Sequence, residues 1–406
     1  MFSRSPEPPR ECNNPCRSGD NAYQQVEPPK LLFITEWFDR EAELIKKYLL
    51  IFYTVDGTIE ISDLVNHRRF LRRMKVDTVK LEDLYIGNVI NIYARHMTLV
   101  EYADTCSSQY LEPKTERAFI LVKPDALDYL GFIVQRIEKC FRVIRAKTAC
   151  LGYEMACKFF DQYQGQEFYS SLISYVSSGP VAVFLVVAEN AIEKMRVLVG
   201  NEDPSQARLE SPTSLRALYG KDTIRNAFHI SESSPCVIRD SGFFFTECRE
   251  QLPCVARNTA VICDSTCCII KPHAVKEGLA GRIITDICAA KFKVVALEMF
   301  YLDRTHAEEF YEVYKGVLAE YASMTEELAL GPCYVLEISG CIEETVKSFR
   351  SACGPSDPDL ARKLRPQSLR ARYGVNKVHN AVHCTDLPED APMELEYFFR
   401  ILTMKS

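Results

Sequence analysis

The sequence predicts an α+β protein in which one domain is repeated in tandem behind a smaller β-rich module. Three observations lead there. Four blocks of sequence recur in the same order at offsets near 150 residues. Within each copy, apolar strand-like runs alternate with stretches of helical periodicity. Ahead of the copies lie short alternating runs broken by turn residues. The chain's 406 residues are too many for one core, and domain size argues for about two to four units.

Residues 1–29 are rich in Pro, Ser, Asn and charge and read as a disordered tail. Cys12 and Cys16 there have no second ligand pair nearby, so no metal is assigned to them. Residues 30–111 form the β-rich module. Lys47 to Tyr53 is aromatic and aliphatic, Asp56-Gly57 interrupts, and Ile59 and Ile61 then alternate with Glu60 and Ser62, which signals a hairpin. Val89, Ile90, Ile92 and Tyr93, followed by Leu99 to Tyr102, predict a second hairpin, and one short helix completes the module.

Residues 115–250 and 262–403 are the two copies. In the first, Phe119 to Val122 is a buried strand, and Gly131 to Phe141 is a helix with Phe132, Ile133, Ile137 and Phe141 at helical spacing. Arg142 to Leu151 is a strand, and Val181 to Val187, apolar without alternation, is a central one. The expected order is strand, helix, strand, helix, strand, helix and a loop bearing a histidine.

The recurring blocks are explicit. Ala118 to Ala126, containing Lys123-Pro124-Asp125, returns as Cys267 to Ala274, containing Lys271-Pro272-His273. Ser178-Gly179-Pro180 returns as Leu330-Gly331-Pro332, and Ser214 to Gly220 as Ser368 to Gly374. Asn226-Ala227-Phe228-His229 returns as Asn380-Ala381-Val382-His383.

A composition of 47% hydrophobic and 26% charged residues with net charge −6 excludes a disordered chain and a strongly basic nucleic-acid binder. The 17 cysteines are odd in number, and several sit in apolar runs such as Cys267-Cys268-Ile269-Ile270. They predict reduced, buried thiols rather than a disulfide scaffold. Cys254, Cys263, Cys267 and Cys268 lack regular zinc spacing. The most apolar stretch, Pro180 to Ala188, falls far short of the roughly 20 residues that span a bilayer. With no apolar segment near the N-terminus, a soluble intracellular protein is expected.

There is no Gly-x-x-x-x-Gly-Lys-Ser/Thr loop, so any phosphate site must be built from separate cationic side chains. Copy one supplies Lys123, Arg196, Arg216, Asn226 and His229; copy two supplies Lys271, Arg350, Arg370, Asn380 and His383. Guanidinium groups pair bidentately with phosphate oxygens and stay charged. An imidazole can attack phosphorus in line and hold the phosphoryl group covalently, splitting one transfer into two steps.

On these blocks both copies resemble nucleoside diphosphate kinases, with their strand ending in Lys-Pro-Asp, their Ser-Gly-Pro strand and their Asn-x-x-His. The resemblance implies a ferredoxin-like βαββαβ core in each repeat. The first module is similar to the pleckstrin-homology-like domain of ciliary doublet-microtubule proteins. By resemblance, His229 and His383 are the phosphorylated nucleophiles. Lys123, Lys271, Asn226 and Asn380 contact ribose, and Arg196, Arg216, Arg350 and Arg370 bind phosphate. Phe168 stacks on the base, which tolerates any base because stacking reads area. Asp240 and Glu394 orient the nucleophiles, and Tyr311 is the active-site tyrosine of copy two.

The chain departs from the family pattern in several places. The tyrosine falls on Phe160 in copy one and a nearby phosphate-binding arginine on Gln166, while copy two has uncharged residues around Val317. The Gly-Ser-Asp-Ser after the nucleophile becomes Ile230-Ser231-Glu232-Ser233 and Cys384-Thr385-Asp386-Leu387, and Asp240 is one methylene shorter than glutamate. Losing one charged hydrogen bond to phosphate costs about 1.5–3 kcal/mol, or roughly ten- to a hundred-fold in rate. Nucleotide binding with weak phosphotransfer is therefore expected, with Mg2+ accompanying the nucleotide.

The resemblance also implies a structural role on axonemal doublet microtubules or with γ-tubulin complexes, in cytoplasm, cilium and centrosome. The alternatives are a fully active kinase balancing triphosphate pools and a purely structural component. His67-Arg68-Arg69-Phe70-Leu71-Arg72-Arg73 is a basic stretch suited to an acidic tubulin surface or, more simply, a strand edge guarded by charge. No nucleic acid or membrane partner is expected. Family members assemble as hexamers; here the linked repeats are expected to pack on each other like a dimer within a monomeric chain.

Overall fold

The computed structural model describes residues 28–39, 42–93, 95–245, 256–340 and 344–403. The expected tail, apart from Pro28 and Pro29, lies outside the described residues, as do Cys12, Cys16 and Cys254.

The module is a six-stranded antiparallel sheet of β1 (Lys30–Asp39), β2 (Leu44–Tyr53), β3 (Thr58–Asp63), β4 (Arg69–Lys75), β5 (Val89–Ile92) and β6 (Arg95–Tyr102). Its order is β4-β3-β2-β1-β6-β5. Successive strand side chains point to opposite faces, so Ile59 and Ile61 enter a core with Leu31, Phe33, Leu50 and Phe52. Gly57, at φ +65°, closes the first hairpin where a side chain would be strained. Helix α1 (Thr105–Leu111) is capped by the Asp104 side chain, which accepts from Ser107 N at 2.9 Å.

Repeat one runs β7 (Glu116–Val122), α2 (Leu130–Cys140), β8 (Arg142–Cys150), α3 (Tyr153–Phe159), α4 (Tyr169–Val176), β9 (Pro180–Ala188) and α5 (Ala191–Val199). It ends with α6 (Pro204–Glu210), α7 (Leu215–Tyr219), β10 (Phe228–Ile230) and α8 (Ser234–Gly242). A two-residue strand β11 (Arg257–Asn258) pairs with β8 on the way to repeat two. There the order returns as β12 (Ser265–Ile270), α9 (Pro272–Lys276), α10 (Ala280–Ala289), β13 (Lys293–Tyr301), α11 (Arg304–Phe310), α12 (Tyr321–Leu328) and β14 (Pro332–Ser339). It closes with α13 (Thr345–Cys353), α14 (Pro358–Leu364), α15 (Leu369–Tyr373), β15 (Val382–Cys384) and α16 (Asp390–Glu396).

Each repeat forms an antiparallel four-stranded sheet with its fourth strand beside the first and its third between first and second, the ferredoxin-like order. The halves join as β10-β7-β9-β8-β13-β14-β12-β15. That order reads the same from either end, so an approximate two-fold axis passes between β8 and β13. Lys147 of β8 lies opposite Glu298 of β13, with Nζ and Oε1 3.8 Å apart and both side chains nearly buried. The Thr148 hydroxyl accepts from Leu297 N at 2.8 Å across the same seam. Beneath it α2 crosses α10, and Ile133, Val134 and Ile137 share one core with Ile283, Ile284 and Ile287. The expected dimer-like packing of the repeats is thus present.

Three expectations are corrected. His229 and His383 lie not in loops but on the short strands β10 and β15, paired with β7 and β12. Phe132 is 51% exposed, because the inward stripe of α2 is Leu130, Ile133, Val134 and Ile137, and position 132 falls off it. The described cysteines are free thiols as expected, but of these only Cys267, Cys268, Cys333, Cys353 and Cys384 are buried.

The module docks through one edge. The Arg142 guanidinium donates to the Glu82 carbonyl at 2.6 Å and pairs with Asp83 at 2.9 Å, and Arg117 donates to the Ile86 carbonyl. Asn91 Nδ2 and His96 Nε2 reach the Ala329 carbonyl of repeat two at 2.9 and 3.0 Å. The edge strand β4, carrying Arg69, Arg72 and Arg73, is at the opposite side of the sheet. Among the described residues no helix is long and apolar enough to cross a membrane.

Candidate functional site

Each histidine is set by the residue two places before it. Ala227 and Ala381 hold φ of 67° and 69°, a left-handed conformation that is strained for a residue with a Cβ. Their carbonyls accept from Lys123 N and Lys271 N at 2.8 and 2.9 Å, which fastens the turn to the end of the first strand. The chain then enters the short strand, placing His229 opposite Leu121 and His383 opposite Ile269.

A carboxylate from the following helix faces each ring. His229 Nε2 lies 3.3 Å from Asp240 Oδ2, and His383 Nε2 lies 3.1 Å from Glu394 Oε1. Ser231 donates to Asp240 at 2.6 Å and Thr385 to Glu394 at 2.7 Å. Burial opposes charge on Asp240, yet its bonds from His229, Ser231 and Arg239 hold its carboxyl below the ordinary range. An imidazole that donates Nε2–H to a carboxylate keeps its lone pair on Nδ1. Both histidines are nearly buried, at 8% and 6% exposure, and rest edge-on against aromatic rings.

The cationic residues divide into two groups. Arg216 donates to the carbonyls of Gly200 and Phe228 at 2.9 and 3.3 Å; Arg370 donates to those of Gly354 and Val382 at 2.8 and 3.2 Å. Each arginine thus ties the histidine strand to a left-handed glycine ending α5 or α13, at φ 84° and 82°. A Cβ on Gly200 or Gly354 would fall 2.4 or 2.3 Å from a serine hydroxyl. Lys123 Nζ donates to Asn226 Oδ1 at 2.7 Å and to the Ile224 carbonyl at 3.0 Å, while Lys271 Nζ reaches the Val378 carbonyl at 2.9 Å. Burial, then the Arg216 charge, pulls Lys123 down to about 7; burial pulls Lys271 to about 8.

Arg350 and Arg196 sit further out. Arg350 pairs with Asp386 at 3.2 Å, and Asp386 also accepts from Tyr314 at 2.6 Å, so this cation is held three residues from His383. Arg196 pairs with Glu193 of its own helix at 2.8 Å, and the contacts seen do not bring it to His229.

Aromatic residues line the approach unequally. In repeat one a ring series runs from His229 to Phe160, Tyr163 and Phe168, with centroid spacings of 5.3, 6.2 and 5.6 Å. Phe168 is 39% exposed, as a stacking platform must be. In repeat two, Tyr311 and Tyr314 follow His383 at 5.7 and 5.8 Å. The residue ahead of α12 is Glu320, paired with Lys377 at 3.6 Å, where repeat one has Phe168 ahead of α4. Tyr311 is fully buried, and its hydroxyl has no hydrogen-bond partner among the described residues.

One feature escaped sequence reasoning. Tyr175 donates to Asp125 in repeat one; in repeat two His273 donates to Glu327 at 2.7 Å, so donor and acceptor have changed places. The signal was available in the replacement of Asp125 by His273 within the recurring block. A further buried carboxylate, Glu337, accepts from Val261 N, Ile262 N and the Ser265 hydroxyl at 2.9, 2.7 and 2.7 Å, organising the entry to repeat two.

The family profile described as nucleoside diphosphate kinase matches residues 116–249 and 264–403. The chain belongs to the nucleoside diphosphate kinase family. Nucleoside diphosphate kinase homolog 7 of Rattus norvegicus is 43% identical over 374 residues, which cover 92% of this chain and 93% of that protein. The Mus musculus protein of the same description is 42% identical over the same length, covering 92% and 93%. The nucleoside diphosphate kinase of Aquifex aeolicus is 34% identical over 136 residues, 34% of this chain and 94% of its own. One repeat therefore corresponds to nearly all of that protein. Membership in the nucleoside diphosphate kinase family implies nucleotide substrates. The two histidine sites are the places where this chain gathers residues suited to phosphate.

Proposed function

We propose that the chain binds nucleoside di- and triphosphates at both repeats and moves a terminal phosphoryl group, weakly, through phosphohistidine at His229 and His383. The twice-built carboxylate–imidazole pair carries the reading, since it leaves Nδ1 as the nucleophilic atom in both copies. Nδ1 attacks the terminal phosphorus in line, the bond to the bridging oxygen breaks, and the nucleoside diphosphate leaves with that electron pair. A second diphosphate then takes the phosphoryl group by the reverse step. Asp240 and Glu394 stabilise the positive ring as the N–P bond forms.

Lys123, Asn226 and Arg216, with Lys271, Asn380, Arg370 and Arg350, supply the charge and hydrogen bonds for ribose and phosphate. Phe168 offers a base platform in repeat one, and Arg196 would have to leave Glu193 to reach phosphate. The side chains gathered here are cationic or amide, and each orienting carboxylate is already engaged. Mg2+ therefore fits only as a companion of the nucleotide, held by phosphate oxygens, where it supplies charge neutralisation. Weakness follows from Phe160 and Gln166 in repeat one and from the uncharged stretch near Val317 and the Glu320 position in repeat two.

The test is acid-labile incorporation of label from γ-labelled ATP, with His229→Ala, His383→Ala and the double variant beside the wild type. Label that chases onto added diphosphate and vanishes only in the double variant is expected. An unlabelled wild type that still binds nucleotide would end the transfer reading.

A second reading is favoured by the free basic edge. We infer a structural role on doublet microtubules of the cilium, or with γ-tubulin complexes, supported by the module's resemblance and by β4. That strand lies at the edge away from the docked one. Arg69 and Arg73 pair with Glu60 and Asp56, leaving Arg68, Arg72 and Lys75 unpaired among the described residues. Pelleting with microtubules should be lost in salt, and lost when Arg68, Arg69, Arg72 and Arg73 become Ser. Unchanged pelleting would leave β4 as a charged guard against edge pairing.

A further inference from the structure

Away from both histidines, the module and the two repeats enclose a cavity of about 610 Å³. Small-molecule sites span roughly 300–1,000 Å³, so this one has room for an occupant. Its charge is one-sided. The module contributes Asp77, Glu82 and Asp83, repeat one Glu138, and repeat two Glu277 and Glu327. Arg142 is paired with Asp83 and Glu82, which sets those three against one another and leaves Asp77, Glu138, Glu277 and Glu327 facing Lys276. His273 donates from Nδ1 to Glu327 and accepts at Nε2 from Ala381 N at 3.2 Å, an arrangement that requires the neutral ring.

Two polar atoms on residues of the wall have no hydrogen-bond partner among the described residues. The second oxygen of Glu327 and the hydroxyl of Tyr334 are both buried and unbonded, on residues 2% and 0% exposed. Native proteins rarely leave such atoms unmet. Burial raises the Tyr334 phenol, and the Glu138 carboxyl lies close enough to raise it further. Burial pushes Glu138 itself up to about 7 despite its bond from Gly281 N and the charge of Arg282. A second cation, on the cavity side, would relieve the penalty that remains. Between these groups the lining is apolar, from Tyr85, Ile90, Phe141, Val275 and Tyr301. Among the described residues no group of three or more His, Cys, Asp or Glu is placed to hold a metal ion.

We propose that this junction cavity binds a small organic cation, an amine, amidine or guanidine on a compact apolar body. The charged head meets Glu138, Tyr334 and Glu327, and the body lies against the aromatic wall. Because all three pieces of the chain supply walls, the ligand fastens the module to both repeats. The site is independent of phosphotransfer.

The test is calorimetric titration of the full chain with benzamidine and with agmatine, using benzamide as the uncharged control. One saturable site per chain is expected, without detectable binding of benzamide and unaffected by saturating ATP. Glu138→Gln keeps an acceptor for Gly281 N and should weaken binding at least tenfold. Tyr334→Phe removes a hydroxyl that bonds nothing, so the unliganded protein should melt unchanged while affinity falls several-fold; it decides the matter if Glu138→Gln misfolds. No saturable binding of either cation, equal binding of benzamide, displacement by ATP, or unaltered affinity in the folded variants would overturn the proposal.

Discussion

At the scale of single residues, burial leaves the charge of Lys123 finely balanced near neutral pH. Its amine falls from 10.5 in the unfolded chain to about 7 when buried. Between those values the unfolded chain holds more protons than the folded one, so this lysine makes stability rise with pH across that window. Nucleotide binding runs the other way. A phosphate placed beside Lys123 favours the charged amine, so the complex takes up a proton and affinity declines as pH climbs past 7. Calorimetry with ADP at pH 8, in buffers of different ionisation enthalpy, should show net uptake, reduced in Lys123→Met. No difference between buffers would rule out a phosphate next to this amine.

The residue scale also separates what the sequence made legible from what it hid. Lys123, Asn226, Arg216 and His229 were legible because they recur in fixed order with their counterparts, and the structure does bring them together. The strain at Ala227 and Ala381 was not, because alanine carries no signal for a positive φ as glycine does. The pair of Arg196 with Glu193 is an ordinary i, i+3 contact within one helix, whereas that of Arg350 with Asp386 depends on side-chain reach across the fold, which spacing does not determine.

Among the elements, α2 and α10 approach each other closely through glycines. A Cβ on Gly281 would lie 2.2 Å from Gln135 N and 2.9 Å from the Gly131 carbonyl, and one on Gly131 would lie 2.6 Å from Thr285 N. These neighbours are backbone and cannot swing aside. Gly281→Ala should therefore cost about 1–3 kcal/mol by forcing the helices apart, read as a lower urea midpoint. An unchanged midpoint would mean the helices are less closely packed than described. Strands were the more readable elements, since Val181 to Val187 and Cys267 to Ile270 announce burial on both faces. The short strands β10 and β15 were read as loops because three residues are too few to show a period.

For the whole molecule, the join between β8 and β13 decides the behaviour in solution. The surface through which two copies would pair is already covered within the chain, so a monomer is expected. Light scattering coupled to gel filtration should return the mass of one chain at micromolar concentration; a hexamer would contradict it. The continuity of the sheet across the seam could not be read from sequence, since Lys147 and Glu298 are separated by a whole repeat and nothing local marks them as neighbours. Removing either one would strand the other's charge in a dry environment, which is costlier than never having had the pair.

That pair has a consequence for how the halves can change. In an assembly of identical subunits, a residue on a two-fold axis confronts its own image, and a charge there repels itself. Fusion lifts the restriction, and this chain has a base on one side of the axis and an acid on the other. Repeat one paired with itself would set Lys147 against Lys147, and repeat two would set Glu298 against Glu298. The seam therefore works as a key cut differently on its two faces, and its charges favour the unlike half. Each repeat is matched in charge to the other at this point, so their sites can drift apart while the seam still favours the same pairing.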